Sequence, residues 1–132
     1  MFQDVLRGLV ERTDGAIASL LMGFDGITVD SYTRDPSALN VETVGSEYSV
    51  VLGQIKQAAS MLDLGSAQEV AVQAENMTTV IRLLNDEYFV AMALAPSGSV
   101  GKARYLLRVE ARSEARGVEP VERRIPIEVR SP

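Results

Sequence analysis

The chain has 132 residues, 46% of them hydrophobic and 23% charged, and a formal net charge of −5. This composition is typical of one folded domain with its own core. Because the sequence contains no cysteine and no histidine, zinc sites, thiol nucleophiles and Ser-His-Asp triads are excluded. The negative charge argues against nucleic acid as a partner, since phosphate recognition needs a basic surface.

Signals for secretion and membrane insertion are not apparent in the sequence. No apolar run approaches the roughly 18–20 residues that span a bilayer. The N-terminal residues place an acid, Asp4, before any base, whereas a secretory signal begins with basic residues. We therefore expect a cytoplasmic protein that does not insert into a membrane.

Hydrophobic periodicity predicts the order helix, two strands, helix, three strands and helix. Residues 2–13 have the three- and four-residue spacing of an amphipathic helix. Residues 16–22 are apolar at both alternations, which is typical of a strand buried on two faces. The remaining predicted elements are a strand at 27–32, a long helix at 39–62, strands at 67–75, 77–84 and 88–94, and a helix from 100 to 116.

Short polar connectors predict that the strands pair as hairpins. Asp25-Gly26 lies between two apolar runs, which is a strong hairpin signal, and Glu75-Asn76 and Asn85-Asp86 join the last three strands. The expected fold class is α+β, with a five-stranded antiparallel sheet and the long central helix packed on one face. The predicted domain covers residues 1–116, and the segment 117–132, rich in proline and charge, is expected to be a flexible C-terminal tail.

The long helix is predicted to bury one arc of its surface. That arc consists of Val41, Val44, Tyr48, Val51, Leu52, Ile55, Ala58, Ala59 and Leu62. Gly45 and Gly53 interrupt the helix, and each costs about 1 kcal/mol relative to alanine. They indicate either a tolerated weakness or the close approach of a neighbour.

The opposite side of the long helix carries few charges. Its row of Val50, Gln54, Gln57 and Met61 has fewer charged side chains than a typical solvated helix face. Because the cores of protein interfaces are poor in charge and rich in methionine, this row is a candidate interface. An ordinary surface is an equally good interpretation. The strand 67–75 is rich in alanine and valine, so two copies could join there about a two-fold axis if it lies at a sheet edge.

No catalytic or cofactor site emerges from the sequence. It contains no P-loop and no dinucleotide-binding glycine pattern. Lys56 and Lys102 lie on predicted helices among polar neighbours, which is not the buried setting of a nucleophilic lysine. Three aspartates lie close together in the sequence, but their spacing does not match that of a calcium-binding loop. They are Asp25, Asp30 and Asp35. We therefore predict a protein that is not an enzyme and that uses neither a metal nor a cofactor.

Three segments in order resemble the Roadblock/dynein light chain family. Residues 15–32, with their Asp-Gly turn, resemble the first hairpin of that family, and residues 77–94 resemble its second hairpin. The stretch 99–104, Ser-Val-Gly-Lys-Ala-Arg, is similar to the start of its last helix. The resemblance covers residues 1–116 and depends on the order and spacing of these segments.

The resemblance implies a homodimer in which two sheets join through their third strands and the long helices pair. It places at the dimer interface Val50, Gln54, Gln57, Met61, Glu69, Val70, Ala71 and Val72. It also implies a Ras-like small GTPase as a partner, which the dimer would activate or scaffold, as bacterial members do in cell polarity and motility. The candidate partner-binding residues are Glu47, Gln54, Arg123 and Arg124.

Two other functions stay open. The first is a structural adaptor in a motor, motility or signalling complex, without an effect on GTP turnover. The second is a small-molecule sensor, which is less favoured because the strands carry few polar side chains to orient a ligand. Arg34 and Arg82 could reach a partner, but no pattern marks either as an arginine finger.

Overall fold

The computed structural model describes residues 2–117, and the side chains of residues 2–109. Its elements are α1 (Phe2–Glu11), β1 (Ala16–Gly23), β2 (Thr28–Thr33), α2 (Val41–Met61), β3 (Glu69–Gln73), β4 (Thr78–Leu83), β5 (Tyr88–Leu94) and α3 (Val100–Gly117). The order of helices and strands confirms the prediction. The expected tail lies outside the described residues, apart from Gly117, which ends α3.

All five strands form one antiparallel sheet in the order β2-β1-β5-β4-β3. β5 lies at the centre because residues 89–94 are apolar and buried on both faces. β2 and β3 have more polar side chains and form the two edges. Each edge strand therefore has one side without a neighbouring strand in the described chain.

Helices cover both faces of the sheet. α1 and α3 pack on one face, where Met92 lies in a shared hydrophobic core. α2 packs on the other face, against a second core that contains Leu20 and Phe89, as predicted for the long helix. The buried Ser19 hydroxyl donates a hydrogen bond of 2.8 Å to the Leu6 carbonyl, which ties β1 to α1 without leaving a polar group unsatisfied.

The turn between β1 and β2 has the geometry that its sequence predicts. Gly26 has a φ of 86°, a left-handed conformation that costs glycine little. Its N–H donates to the Gly23 carbonyl at 2.9 Å, and the Ile27 N–H donates to Oδ1 of Asp25 at 3.0 Å. The Asp-Gly hairpin is confirmed.

α2 begins with a side-chain cap and ends in a left-handed turn. The Asn40 side chain accepts a hydrogen bond of 3.1 Å from the Thr43 N–H, which satisfies one of the free donors of the first turn. After the helix, Asp63 and Gly65 have φ values of 56° and 85°. This turn redirects the chain from the end of α2 toward β3.

The predicted buried arc of α2 is partly wrong. Val41, Leu52 and, in part, Ile55 face the sheet as expected, but three of the predicted members are exposed. These are Val51, Ala58 and Leu62. The helix is rotated so that small residues face the sheet, because they let its backbone lie closer to β1 than larger side chains would.

Gly45 is the point of closest approach between α2 and the sheet. A Cβ atom at this position would overlap Cδ2 of Leu20 and would lie 3.0 Å from Cε and 3.1 Å from Sδ of Met22. Gly53 differs, because no atom of the described chain lies within 4 Å of the corresponding position. Of the two interpretations of these glycines, close approach is correct for Gly45, and the neighbour is the chain's own first strand.

None of the helices within residues 2–117 has the length and apolar character needed to cross a membrane.

We predict that Gly45→Ala destabilises the fold by about 1–3 kcal/mol, because Leu20 and Met22 must shift to admit the methyl group. Gly53→Ala is the matched control in the same helix. It should leave the free energy of unfolding unchanged or raise it by up to about 1 kcal/mol, through helix propensity. Urea unfolding followed by circular dichroism at one protein concentration measures both. Equal effects of the two substitutions would contradict this account of α2 packing.

Candidate interaction surface

The outer edge of β2 is closed by side chains of the same chain. The Arg34 N–H donates to the Ile17 carbonyl, and the alternation of an antiparallel ladder then directs the backbone groups of Ser31 away from β1. Oδ1 of Asp30 accepts the Ser31 N–H at 2.9 Å. The Gln3 side chain donates to the Ser31 carbonyl at 3.1 Å.

A bulge adds to this protection of β2. The register shifts between Leu21 and Met22, which pair with Asp30 and Thr28, so Val29 is an extra residue on the edge strand. Bulges twist an edge away from the flat geometry that a new strand requires. β2 is therefore poorly suited to pair with another strand.

The outer edge of β3 is open. The Leu83 N–H donates to the Gln68 carbonyl, and the Ala74 N–H donates to the Met77 carbonyl. The same alternation then directs the backbone N–H and C=O groups of three residues away from β4. These residues are Glu69, Ala71 and Gln73.

Among the side-chain and backbone hydrogen bonds seen within residues 2–109, none reaches those outward groups of β3. Ala71 and Gln73 are exposed. Unpaired backbone groups in an exposed row are a template for a further strand. β3 presents such a row over three residues, whereas on β2 the outward groups of Ser31 are covered.

A second accessible surface, which is apolar, lies on the outer side of α2 and on the turn that follows it. Val50 is 66% exposed and Met61 76% exposed, and Gln54 and Gln57 lie on the same outer side of the helix. Together with the residues that the helix rotation exposes, the apolar side chains of this outer face are Val50, Val51, Ala58, Met61, Leu62 and Leu64. Large apolar side chains grouped at the surface mark interaction sites.

All eight predicted interface residues therefore lie on accessible or half-buried parts of α2 and β3. Glu69, Val70 and Val72 are half-buried, and Ala71 and the four α2 residues are exposed. The sequence prediction missed Val51, Leu62 and Leu64 because it assigned apolar residues on α2 to the core or to its end. The spacing of Gly45 and Ser49 could have indicated which side of α2 faces the sheet, because small residues four positions apart permit close packing.

The predicted partner-binding residues divide into two groups. Glu47 and Gln54 are exposed on the outer side of α2. Arg123 and Arg124 lie outside the described residues.

The two arginines that could have reached a partner are engaged within the fold. Arg34 donates from Nε to the Ala16 carbonyl at 2.8 Å and from Nη2 to the Val10 carbonyl at 2.9 Å. Arg82 is only 8% exposed. Arg34 therefore joins the end of β2 to β1 and α1, and Arg82 is buried in β4.

A cavity of about 500 Å³ lies where the end of α2 meets the turn between β4 and β5. Lys56 spans its wall: Nζ donates to the Asp86 carbonyl at 3.0 Å and lies 3.7 Å from the centroid of the Phe24 ring. The other lining residues include Asp63, Gln68 and Arg82. Small-molecule sites are mostly apolar with a few oriented polar groups, so this polar, open lining gives little support to the sensor hypothesis.

Metal chelation has no support in residues 2–117, because no group of three or more acidic side chains is arranged to hold an ion.

Three solved structures share this architecture. MglC from Myxococcus xanthus is 41% identical, with 85% of this chain and 94% of MglC covered and a TM-score of 0.61. A Roadblock/LC7 domain from Streptomyces avermitilis is 16% identical, covering 83% and 90% with a TM-score of 0.72. The gliding protein MglB from Thermus thermophilus is 18% identical, covering 79% and 78% with a TM-score of 0.70.

Other comparisons found nothing: no family model matches the sequence, and no curated protein matches it. The element order, the sheet and the superpositions define a roadblock-type α+β domain. The chain belongs to the Roadblock/dynein light chain family, and in sequence it is similar to MglC.

We predict that opening the β2 edge makes the protein assemble further. The double variant Gln3→Ala/Asp30→Ala removes both side chains that bond to the Ser31 backbone, so a second edge becomes available. Light scattering should then show species larger than those of the unmodified protein, increasing with concentration. Asp4→Ala, in the first turn of α1, is the control and should change nothing. An unaltered size distribution for the double variant would show that these bonds do not guard the edge.

Proposed function

We propose that the chain forms a homodimer through the outer edge of β3, and that the dimer works by binding a Ras-like small GTPase or its regulators. The observation that supports this most directly is the open row of backbone groups on β3, and the apolar outer face of α2 adds to it. A second copy supplies both a strand with the same unpaired groups and a matching apolar helix. The contact is self-complementary and closes with two copies.

The direction of the outward groups selects one register for two antiparallel copies of β3. Hydrogen-bonded pairs must join outward-facing residues, which are Glu69, Ala71 and Gln73. Placing Ala71 opposite its own copy joins Glu69 to Gln73 on both sides and uses all three residues of each strand. Shifting the strands by two residues leaves one residue of each copy without a partner. The two-fold axis is therefore placed between the two Ala71 residues.

This register also places compatible side chains of the two copies opposite each other. Val70 and Val72 face the α2 side of the sheet, and in the proposed pairing Val70 of one copy lies opposite Val72 of the other. Cross-strand pairs of β-branched residues stabilise a sheet by about 0.2–1 kcal/mol each. The small Ala71 side chains meet at the axis on the opposite face, where bulkier groups would crowd.

We predict that Ala71→Cys forms a disulfide with its own copy under mild oxidation. Directly opposed hydrogen-bonded residues have Cα atoms about 5.5 Å apart, within the range that a disulfide spans. The native chain has no cysteine, so the reaction has no competing thiol. Gln73→Cys is the control on the same face, and its two copies would be too far apart to react. Non-reducing electrophoresis measures the product.

Ala71→Pro tests the dimer itself. The Ala71 N–H faces away from β4, so proline removes no bond from the β3–β4 ladder but blocks pairing with a second copy. The variant should be a folded monomer by light scattering and circular dichroism. A dimer that persists in this variant, or a disulfide that forms through position 73 and not 71, would contradict the proposed register.

Regulation of a GTPase by this dimer would not use Arg34 or Arg82, since both are held by the fold. The dimer would act by favouring one arrangement of the GTPase's own switch regions, which shifts their population. Glu47 and Gln54 on the exposed side of α2 are the described residues that we place at this contact.

We predict nucleotide-dependent binding to a Ras-like GTPase of the same organism. The purified dimer should co-elute with the GTPase in one nucleotide state and should accelerate GTP hydrolysis about tenfold or more if it is an activator. Ala71→Pro should lose both effects, because a platform built from two copies is broken. Failure to bind any such GTPase in either nucleotide state would count against a direct regulator.

A structural adaptor without an effect on GTP turnover is the second candidate. One observation favours it: both candidate arginine fingers are held within the fold. In the same assay, an adaptor would join a complex that contains a GTPase or its regulators while the hydrolysis rate stays unchanged.

A further inference from the structure

The open edge strand β3 carries one charged side chain, that of its first residue, Glu69. Oε2 of Glu69 forms an ion pair of 2.6 Å with Nη2 of Arg104 in α3. The Glu69 side chain keeps 20% of its surface exposed, and that of Arg104 keeps 54%. The carboxylate is therefore held at a defined place beside the open edge and stays partly accessible.

Arg104 approaches this carboxylate from the inner side of β3. α3 packs mainly on β4, the neighbour of β3 in the sheet, and the other side of β3 has no neighbouring strand in the described chain. Val70 packs against the core under α2, so the alternating side chains of Glu69, Ala71 and Gln73 lie on the α3 face. The outer side of the Glu69 carboxylate is thus left for a donor from another chain.

In the proposed dimer, Gln73 of the second copy lies directly opposite Glu69. Ala71 pairs with its own copy, so residues 69 and 73 face each other at both ends of the seam, which is the line where the two β3 strands would pair. Opposed residues of antiparallel strands share one face, with Cβ atoms about 4.5–5.5 Å apart. Gln73 is exposed, and its amide is a donor that a carboxylate accepts. Each end of the seam would then contain Arg104, Glu69 and the second copy's Gln73, in that order.

We propose that Glu69 determines which strand β3 accepts as its neighbour. Its carboxylate, held by Arg104, accepts a hydrogen bond from the Gln73 amide of the second copy at each end of the seam. The partner that fits is a second copy of this chain. A chain with an acid at the position of Gln73 is rejected, because like charges directly opposite each other destabilise a sheet. This inference rests on the proposed dimer and names the side chain that selects its partner.

The same carboxylate opposes competing registers of the two β3 strands. A slip by two residues in one direction brings Glu69 beside Glu75 of the second copy, and the opposite slip brings it to Ala71, whose side chain has no donor. A slip by four residues places Glu69 opposite its own copy. Two of these registers bring carboxylates together, and the third leaves Glu69 without a donor. Charge therefore favours the same register that uses all three outward-facing residues of β3.

The test compares two substitutions at one exposed site of the full-length chain. Gln73→Lys places a cation opposite Glu69 and should tighten the dimer, whereas Gln73→Glu places a second acid there and should weaken it. Because each dimer contains two such contacts, the dissociation constants of the two variants should differ by about tenfold or more. Sedimentation of a fluorescently labelled chain, from nanomolar to micromolar concentration, measures both constants.

The matched control repeats both substitutions in a Glu69→Gln background. Glutamine keeps the size of the side chain and removes its charge, so effects of residue 73 that do not involve Glu69, including those of the net charge of −5, are retained. The two dissociation constants should then agree within about threefold. A merely structural role of Glu69 would change the stability of the fold but would leave the difference between the two variants at position 73 as large as before.

The outcomes separate this inference from the proposed dimer. If Ala71→Pro is a folded monomer and the two variants at position 73 dissociate equally, the role of Glu69 is overturned and the dimer stands. If Ala71→Pro remains dimeric, β3 is not the seam, and both proposals are overturned. A difference that persists at full size in the Glu69→Gln background would overturn selection by Glu69 alone.

Discussion

The interaction chemistry of this protein depends on the backbone groups that β3 leaves unpaired. A sheet of five strands must have two edges, and each exposes a row of N–H and C=O groups. In β2 that row is occupied by Asp30 and Gln3 and distorted by a bulge at Val29. In β3 the groups of Glu69, Ala71 and Gln73 remain open. One closed edge and one open edge permit a pair of copies and oppose a chain of them.

The position of α2 follows from a second constraint, the contact at Gly45. Without a side chain there, the helix backbone approaches Leu20 and Met22 and presents its small residues to the sheet. The larger residues Val51 and Leu62 then point outward. Some hydrophobic burial within one copy is lost, and an apolar surface is gained on the outer side of α2. The proposed dimer would recover that burial when a second copy covers the surface.

Together these features give the proposed dimer an apolar surface on its α2 side. That surface suits contact between the long helices of the two copies, and Glu47 and Gln54 are the exposed residues that we propose to meet a GTPase.

The amino-acid sequence by itself determined the order of the elements, the hairpin turn at Asp25-Gly26 and the antiparallel sheet. These features follow from local periodicity and turn chemistry, which act between residues close in the chain. The accessible α2 row around Val50 and Met61 was also predictable, since few charges and a methionine are visible without a fold. The absence of histidine and cysteine excludes several kinds of chemistry on composition alone.

Only the tertiary structure decided which strands form the edges, how α2 is rotated about its axis, and which groups the arginine side chains bind. Strand order depends on pairing between segments far apart in the chain, so β2 and β3 could not be distinguished as closed and open edges by local pattern. The rotation of α2 depends on the fit of Gly45 against β1, and helical periodicity alone placed Val51 and Leu62 on the wrong side. Arg34 is bound by carbonyl groups of Ala16 and Val10. A bond of that kind exists only once distant backbone segments have been brought together.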